Sequence, residues 1–310
     1  MKGCRSAFAK LPPSPGYGET SRRDKTATAS SRGTRMTEPT AEPAKVTSHR
    51  FLDETGDTTF FGKGRQLIVG KGGVSLTFGM GVVRIDRPLE EVRTEIRALQ
   101  KQVECDPLLN SIPSVKKRME TGDFYFHACK DTPDVRTVLL HYLRDLPCEA
   151  EVVIARKIPA LFEKQHHARE EEFYADLLAH LIKRRLKRAG TLVFNVAERG
   201  SSTREKVLGE ALRLATQRAA KRWGGESLQT RVVFNVQNPR TEPLLTVSDY
   251  LCWAVQRVFE QGDVRHYTYL AERIRVVVDL YDRDKYEGSR NYYDRRNPLT
   301  AQNRIGPPLT

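Results

Sequence analysis

The sequence predicts an α/β domain built on a mixed sheet, with tails at both ends that show no apolar pattern. Three observations lead there. A run of strand-like segments comes first. Strand-like and helix-like segments then alternate, the order expected when helices cover the faces of a sheet. Finally, 39% of the residues are hydrophobic, enough to bury a real core. A length of 310 residues has room for one large domain or two small ones, and no fixed-period repeat divides it.

Residues 1–47 are rich in Ser, Thr, Pro, Gly and Arg and read as a disordered basic leader. Within it, residues 1–35 hold eight Lys or Arg against Glu19 and Asp24, about half of the formal net charge of +13. Met36 opens a milder polar run, which leaves two readings. Either the leader is a basic arm that docks on nucleic acid, or Met36 rather than Met1 is the true start.

Residues 48–285 read as a single domain. Strands are expected at 51–54, 67–69 and 74–85, the last with glycines that suggest a hairpin or a bulge. Asp86-Arg87-Pro88 starts a helix to about Glu104, with Leu89, Val92, Ile96, Leu99 and Val103 at helical spacing. A short strand follows at 124–127. Thr132-Pro133 puts proline at the first helical position of a helix over 135–146. Next come a strand at 151–157, a long helix at 169–188 stopped by Gly190, and an apolar strand at 192–197. A helix over 202–222 carries a capping box from Ser202 to Glu205. A strand at 232–236 and helices at 247–260 and 264–280 close the domain, and residues 286–310 read as a loose tail.

No apolar run approaches the ~18 residues of a membrane span, and residues 1–20 lack the apolar stretch of a signal peptide. The cysteines (Cys4, Cys105, Cys129, Cys148, Cys252) are odd in number and scattered, without a C-x-x-C pair. That argues against a zinc site or a disulfide framework and for a reducing cytoplasm. The positive balance points to a polyanionic partner, most commonly nucleic acid.

Four segments could carry chemistry. The strand Phe51-Leu52 runs directly into Asp53-Glu54-Thr55-Gly56-Asp57. Crowded carboxylates repel unless one takes a proton or they share a metal ion, and hard cations such as Mg²⁺ suit carboxylate oxygens. Asp, Thr and Gly also build tight turns, which is the simpler reading of these residues alone. Asp53 and Glu54 would point to opposite faces unless the strand ends there, and Gly56 permits such a bend. The second is Asp249, which reads equally as the N3 acid of a helix capped by Thr246 and as a carboxylate facing the end of the first strand. The third is Phe126-His127-Ala128 with Asp131, where His127 is either a packed core residue or part of a polar cleft. The fourth is the turn from Glu198 to Arg204, where Arg199 and Arg204 at a helix start would suit a nucleic-acid phosphate, or form an ordinary capped loop.

Other signals fail. Gly64 to Gly70-Lys71-Gly72 lacks P-loop spacing. His166-His167 with Glu170, Glu171 and Glu172 contains no H-E-x-x-H. Lys183-Arg184-Arg185 reads as a solvated face.

Taken together, these segments resemble domain of unknown function 3800, a widespread, largely prokaryotic family. The resemblance covers roughly residues 49–280. It rests on Asp53-Glu54-Thr55-Gly56 (with Thr where the family has Ser), Phe126-His127-Ala128 with Asp131 and Arg136, Arg199-Gly200, and Asp249-Tyr250-Leu251 with Trp253, Gln256 and Arg257. It implies a ribonuclease H-like fold, a mixed sheet flanked by helices. In that fold acids on the first strand and a late helix gather two metal ions, one activating water and the other stabilising the leaving oxygen. By that resemblance Asp53 bridges Mg²⁺ or Mn²⁺ ions and Asp249 completes the metal site. Glu54, Asp131 and His127 are further catalytic candidates. Asn195 and Glu198 match no family acid. The implied function is a metal-dependent nuclease. The alternatives are a non-catalytic nucleic-acid-binding or interaction protein, or an accessory of a mobile-element or defence system.

Overall fold

Strand β1 (Thr47–Gly56) begins the fold because the sequence alternates there, Phe51 and Leu52 being fully buried on opposite faces. The computed structural model describes residues 47–186, 190–198, 204–222, 230–285, 288 and 290–308. The leader therefore lies outside the described residues from 1 to 46, and Thr47 already belongs to β1. Next come β2 (Thr77–Ile85), α1 (Leu89–Cys105), the short α2 (Pro107–Asn110), α3 (Pro113–Glu120) and α4 (Pro133–Asp145). They are followed by β3 (Cys148–Arg156), α5 (Pro159–His166), α6 (Glu170–Ile182), β4 (Gly190–Ala197) and α7 (Arg204–Arg222). The chain ends with β5 (Thr230–Gln237), α8 (Leu245–Gln261), α9 (Arg265–Leu270), β6 (Ile274–Asp279) and β7 (Tyr292–Tyr293).

Among the described residues, seven strands form one mixed sheet in the order β5-β4-β1-β2-β3-β6-β7. Strand β2 is antiparallel to both β1 and β3, and β7 is antiparallel to β6. The pairs β1–β4, β4–β5 and β3–β6 are parallel. Five strands therefore end at one edge of the sheet. Phe51 joins one core with residues of α1, α4, α8 and α9, and Leu52 joins the other with residues of α5, α6 and α7. The expected α/β class and mixed sheet are what the structure contains.

Two strand glycines serve close packing rather than a hairpin or bulge. Gly79 and Gly81 lie in regular register opposite Thr55 and Asp53. A β-carbon on Gly81 would sit 2.1 Å from Cys252 Sγ of α8, so only glycine lets that helix settle on β1 and β2.

Several expectations are corrected. The helix expected over 264–280 is α9 followed by β6, because Ile274, Val276, Val277 and Val278 form a β-branched run that pairs with β3. Segment 67–69 forms only an isolated bridge, Leu67 to Phe61. Segment 124–127 forms no strand and pairs with none. The long helix stops at Ile182, and α5 precedes it. The C-terminal segment is docked rather than loose. Tyr293 pairs with Val277, Leu299 is buried, and the Ile305 N–H donates to the Phe259 carbonyl of α8 at 2.9 Å.

Candidate functional site

Asp53 and Glu54 illustrate how strand alternation divides adjacent acids. Glu54 accepts a hydrogen bond from Tyr174 Oη of α6 at 2.6 Å, on the α6 face. Asp53 follows Phe51 onto the α8 face, where Cys252 Sγ approaches its carbonyl at 3.8 Å. Both acids line a cleft of about 1330 Å³ at the sheet edge where β1, β3, β4, β5 and β6 end. Open α/β sheets bind ligands at this kind of edge, beyond the carboxyl ends of the strands.

Asp57, the third acid of the first cluster, is the turn residue. It accepts from Lys157 Nζ at 2.7 Å, from the Ser75 N–H at 2.8 Å and from the Thr59 N–H at 2.9 Å. Burial pushes its pKa up, but the Lys157 and Ser75 bonds outweigh that and leave it below the ordinary carboxylate range.

Asp249 reaches the same cleft from α8. The cap role expected for it does not form. Leu244 is the N-cap residue, and Thr246 instead donates to the Phe126 carbonyl at 2.9 Å. Asp249 Oδ2 accepts the Ala128 N–H at 2.8 Å. Its side chain is 16% exposed. Burial, reinforced by repulsion from Asp131, pushes its pKa up to about 7. Cys252, one turn along α8, registers both acids. Burial first, then the charges of Asp53 and Asp249, drives its thiol pKa far above normal.

His127 lines the cleft with Nδ1 3.6 Å from Asp249 Oδ2. Burial, with Lys130 and Arg118 adding repulsion, pulls its pKa down to about 4, so the ring is neutral near pH 7. Asp131 does not line the cleft. It is buried behind the wall, 2.6 Å from Arg118, and it bonds the His127 N–H and the Tyr250 hydroxyl. Burial raises its pKa and the Arg118 charge opposes that rise. Asp131 therefore positions His127.

The wall itself is held by side chains. Glu104 accepts the Phe124 N–H, Arg118 donates to the Tyr125 carbonyl, Thr246 donates to the Phe126 carbonyl, and Asp131 and Asp249 accept the next two N–H groups. These bonds take the place of a strand ladder for five backbone groups of 124–128.

Glu198 is the acid that sequence reasoning left unassigned. It follows the last residue of β4, its N–H donates to the Gln237 carbonyl at 2.8 Å, and it lines the cleft. The usable signal was an acid ending an apolar strand. Only the pairing of β4 with β1 gives that signal meaning. Arg199 and the Ser202–Glu205 capping pair lie outside the described residues. Arg204 opens α7, and its side chain lies outside them too.

The donor set is hard oxygen, which suits Mg²⁺ or Mn²⁺. Among the described residues, no three His, Cys, Asp or Glu side chains converge within ligating reach. An ion held here would depend on one or two carboxylates, with water and substrate oxygens completing its shell. Asp53 and Asp249 fit that role. The described cysteines carry free thiols, and no helix among the described residues is long and apolar enough to cross a membrane. Compared with known proteins, the chain matches no family model and no curated sequence.

Proposed function

We propose that the cleft cleaves phosphodiester bonds of nucleic acid with a divalent metal ion, on a ribonuclease H-like sheet. One observation carries this reading: Asp53 of β1, Glu198 after β4 and Asp249 of α8 line one cleft at the carboxyl edge of the sheet. The fold reading is supported by the early antiparallel strands followed by parallel strands with intervening helices. The nucleic-acid reading is supported by the net charge of +13 and by Lys130 and Arg240 along the cleft.

Bound Mg²⁺ or Mn²⁺ supplies Lewis-acid stabilisation of the charge that develops on phosphoryl oxygens. Asp53 and Asp249 are the residues that would hold the ion, and Asp249 would have to be ionised to serve as a ligand. His127, neutral near pH 7 and partly exposed, offers a ring nitrogen that can hydrogen-bond a water or a substrate hydroxyl in the cleft. Asp131 keeps its ring in place through the backbone.

The test is calorimetric titration of Mn²⁺ into the full chain and into Asp53→Asn, followed by incubation of each with labelled single- and double-stranded oligonucleotides. Saturable binding and cleavage lost in the variant support the reading. Absence of binding in the parent chain overturns it. The lack of three converging ligands favours a second reading, a nucleic-acid binder without turnover. That reading predicts oligonucleotide affinity indifferent to Asp53→Asn.

A further inference from the structure

Arg136 is the cation of the cleft whose surroundings are least expected. It is half-buried on α4, yet it is bound only to neutral carbonyls among the described residues. Nε and Nη2 donate to the Ala128 carbonyl at 3.1 and 2.9 Å, and Nη2 also reaches the Asp131 carbonyl. The nearby Asp131 carboxylate is engaged by Arg118, the Tyr250 hydroxyl and the His127 N–H. Burial lowers the Arg136 pKa; the Tyr250 and Asp131 charges oppose that fall and the neighbouring Arg257 charge adds to it. By contrast, Arg257 is neutralised by two bonds to Asp263 at 3.1 and 2.8 Å. A half-buried guanidinium whose hydrogen bonds all end on neutral carbonyls, with its fork already fixed in place, is suited to an oxyanion.

What fixes the fork is visible. Its central carbon lies 4.3 Å from the ring centroid of Trp253, which is 7% exposed. That stacking leaves the planar group oriented while the carbonyl bonds hold one side of it. Arg136 lines the same cleft as Asp53 and Asp249, together with Lys130 and Arg240. The Arg240 guanidinium likewise bonds to Thr121, through its carbonyl at 2.7 Å and its hydroxyl at 2.8 Å, and lies 5.2 Å from the Tyr125 ring centroid.

We propose that Arg136 is the phosphate seat of this cleft, binding a backbone phosphate of a nucleic-acid strand and so setting where the strand lies against the acids. The assignment rests on the nucleic-acid reading above. Its chemistry needs no metal, since a guanidinium fork binds a phosphate directly.

The test is run in EDTA on the full chain, so its failure is distinct from a failure of metal binding or cleavage. A fluorescein-labelled single-stranded deoxythymidine 12-mer is titrated by anisotropy into the parent, Arg136→Gln and Arg87→Gln. Arg87 pairs with Glu95 and Glu91 on α1 and controls for the loss of one charge. Arg136→Gln is expected to weaken binding about tenfold and to lower the salt slope by ~0.7, the value of one single-strand phosphate contact. Arg87→Gln should change neither. Equal behaviour of the two variants overturns the proposal.

A second measurement holds even if Arg136→Gln does not fold. The chain has two tryptophans, so Trp223→Phe isolates Trp253. Inorganic phosphate seated on Arg136 should shift Trp253 emission saturably. An unchanged spectrum up to about 50 mM phosphate, well above the range of even weak binding, overturns the assignment.

Discussion

Cys252 occupies the space that a side chain on Gly81 would fill, and Gly81 pairs in register with Asp53. The distance between β1 and α8, and so between Asp53 and the helix carrying Asp249, is set by a missing methyl group. Gly81→Ala should destabilise the fold by about 1–3 kcal/mol, the usual cost of overpacking, and Cys252→Ala in the same chain should recover part of that loss. Urea denaturation of the two single variants and the double variant measures this. Strictly additive effects would show that the contact is not the cause.

Truncating Asp57 should destabilise the fold. The Lys157 side chain is fully buried and depends on Asp57 at 2.7 Å. Asp57→Ala strands that ammonium and should cost roughly 3–5 kcal/mol. Because the folded pKa of Asp57 is lowered, its contribution is present above the unfolded value of 3.8 and lost as pH falls through the folded value. Parent and Asp57→Ala stabilities should therefore converge in acid. Constant separation down to pH 2 would contradict the ion pair.

Asp249 carries the reverse sign. Its folded pKa is raised from 3.8 to about 7, so its stabilising effect is complete below 3.8 and is lost as pH rises through 7. Asp249→Asn keeps an oxygen to accept the Ala128 N–H and removes the ionisation. It should match the parent near pH 3.5 and exceed it by about 4 kcal/mol at pH 8, measured by thermal melts in EDTA. A variant less stable than the parent at pH 8 would refute the buried-carboxyl account.

Metal binding should release protons. Below pH 7 the Asp249 proton competes with the ion, so Mn²⁺ affinity should fall as pH drops from 8 to 6. Calorimetry in two buffers of different ionisation enthalpy counts the protons released, and Asp249→Asn should release fewer. Equal release from parent and variant would place the ion elsewhere.

How much of this was legible in the sequence follows the range of the interactions. The Thr132-Pro133 helix start and the acid-ended first strand are local signals, and both form. Asp249 was legible as an acid early in a late helix, although the cap expected there does not exist. Segment 124–127 reads as a strand because its residues favour one. It lies outside the sheet because Glu104, Arg118, Thr246 and Asp249 reach it from other elements. β6 was hidden because a β-branched run next to α9 fits either period over so few residues. Glu198 needed the β1–β4 pairing, and the docking of Leu299 and Ile305 needed α8 and α9 in place.

The cleft wall at 124–128 is tied down by separate bonds rather than by a cooperative ladder. Each bond comes from a different residue, and only Arg118 and Asp131 are tied to each other, so Glu104 and Thr246 can be altered without breaking the rest. A substitution at Glu104 or Thr246 would release the wall at Phe124 or Phe126 alone and leave the sheet's own pairings in place. The contour of the cleft can therefore be retuned one bond at a time, leaving the strand that carries Asp53 as the fixed reference against which each change is read.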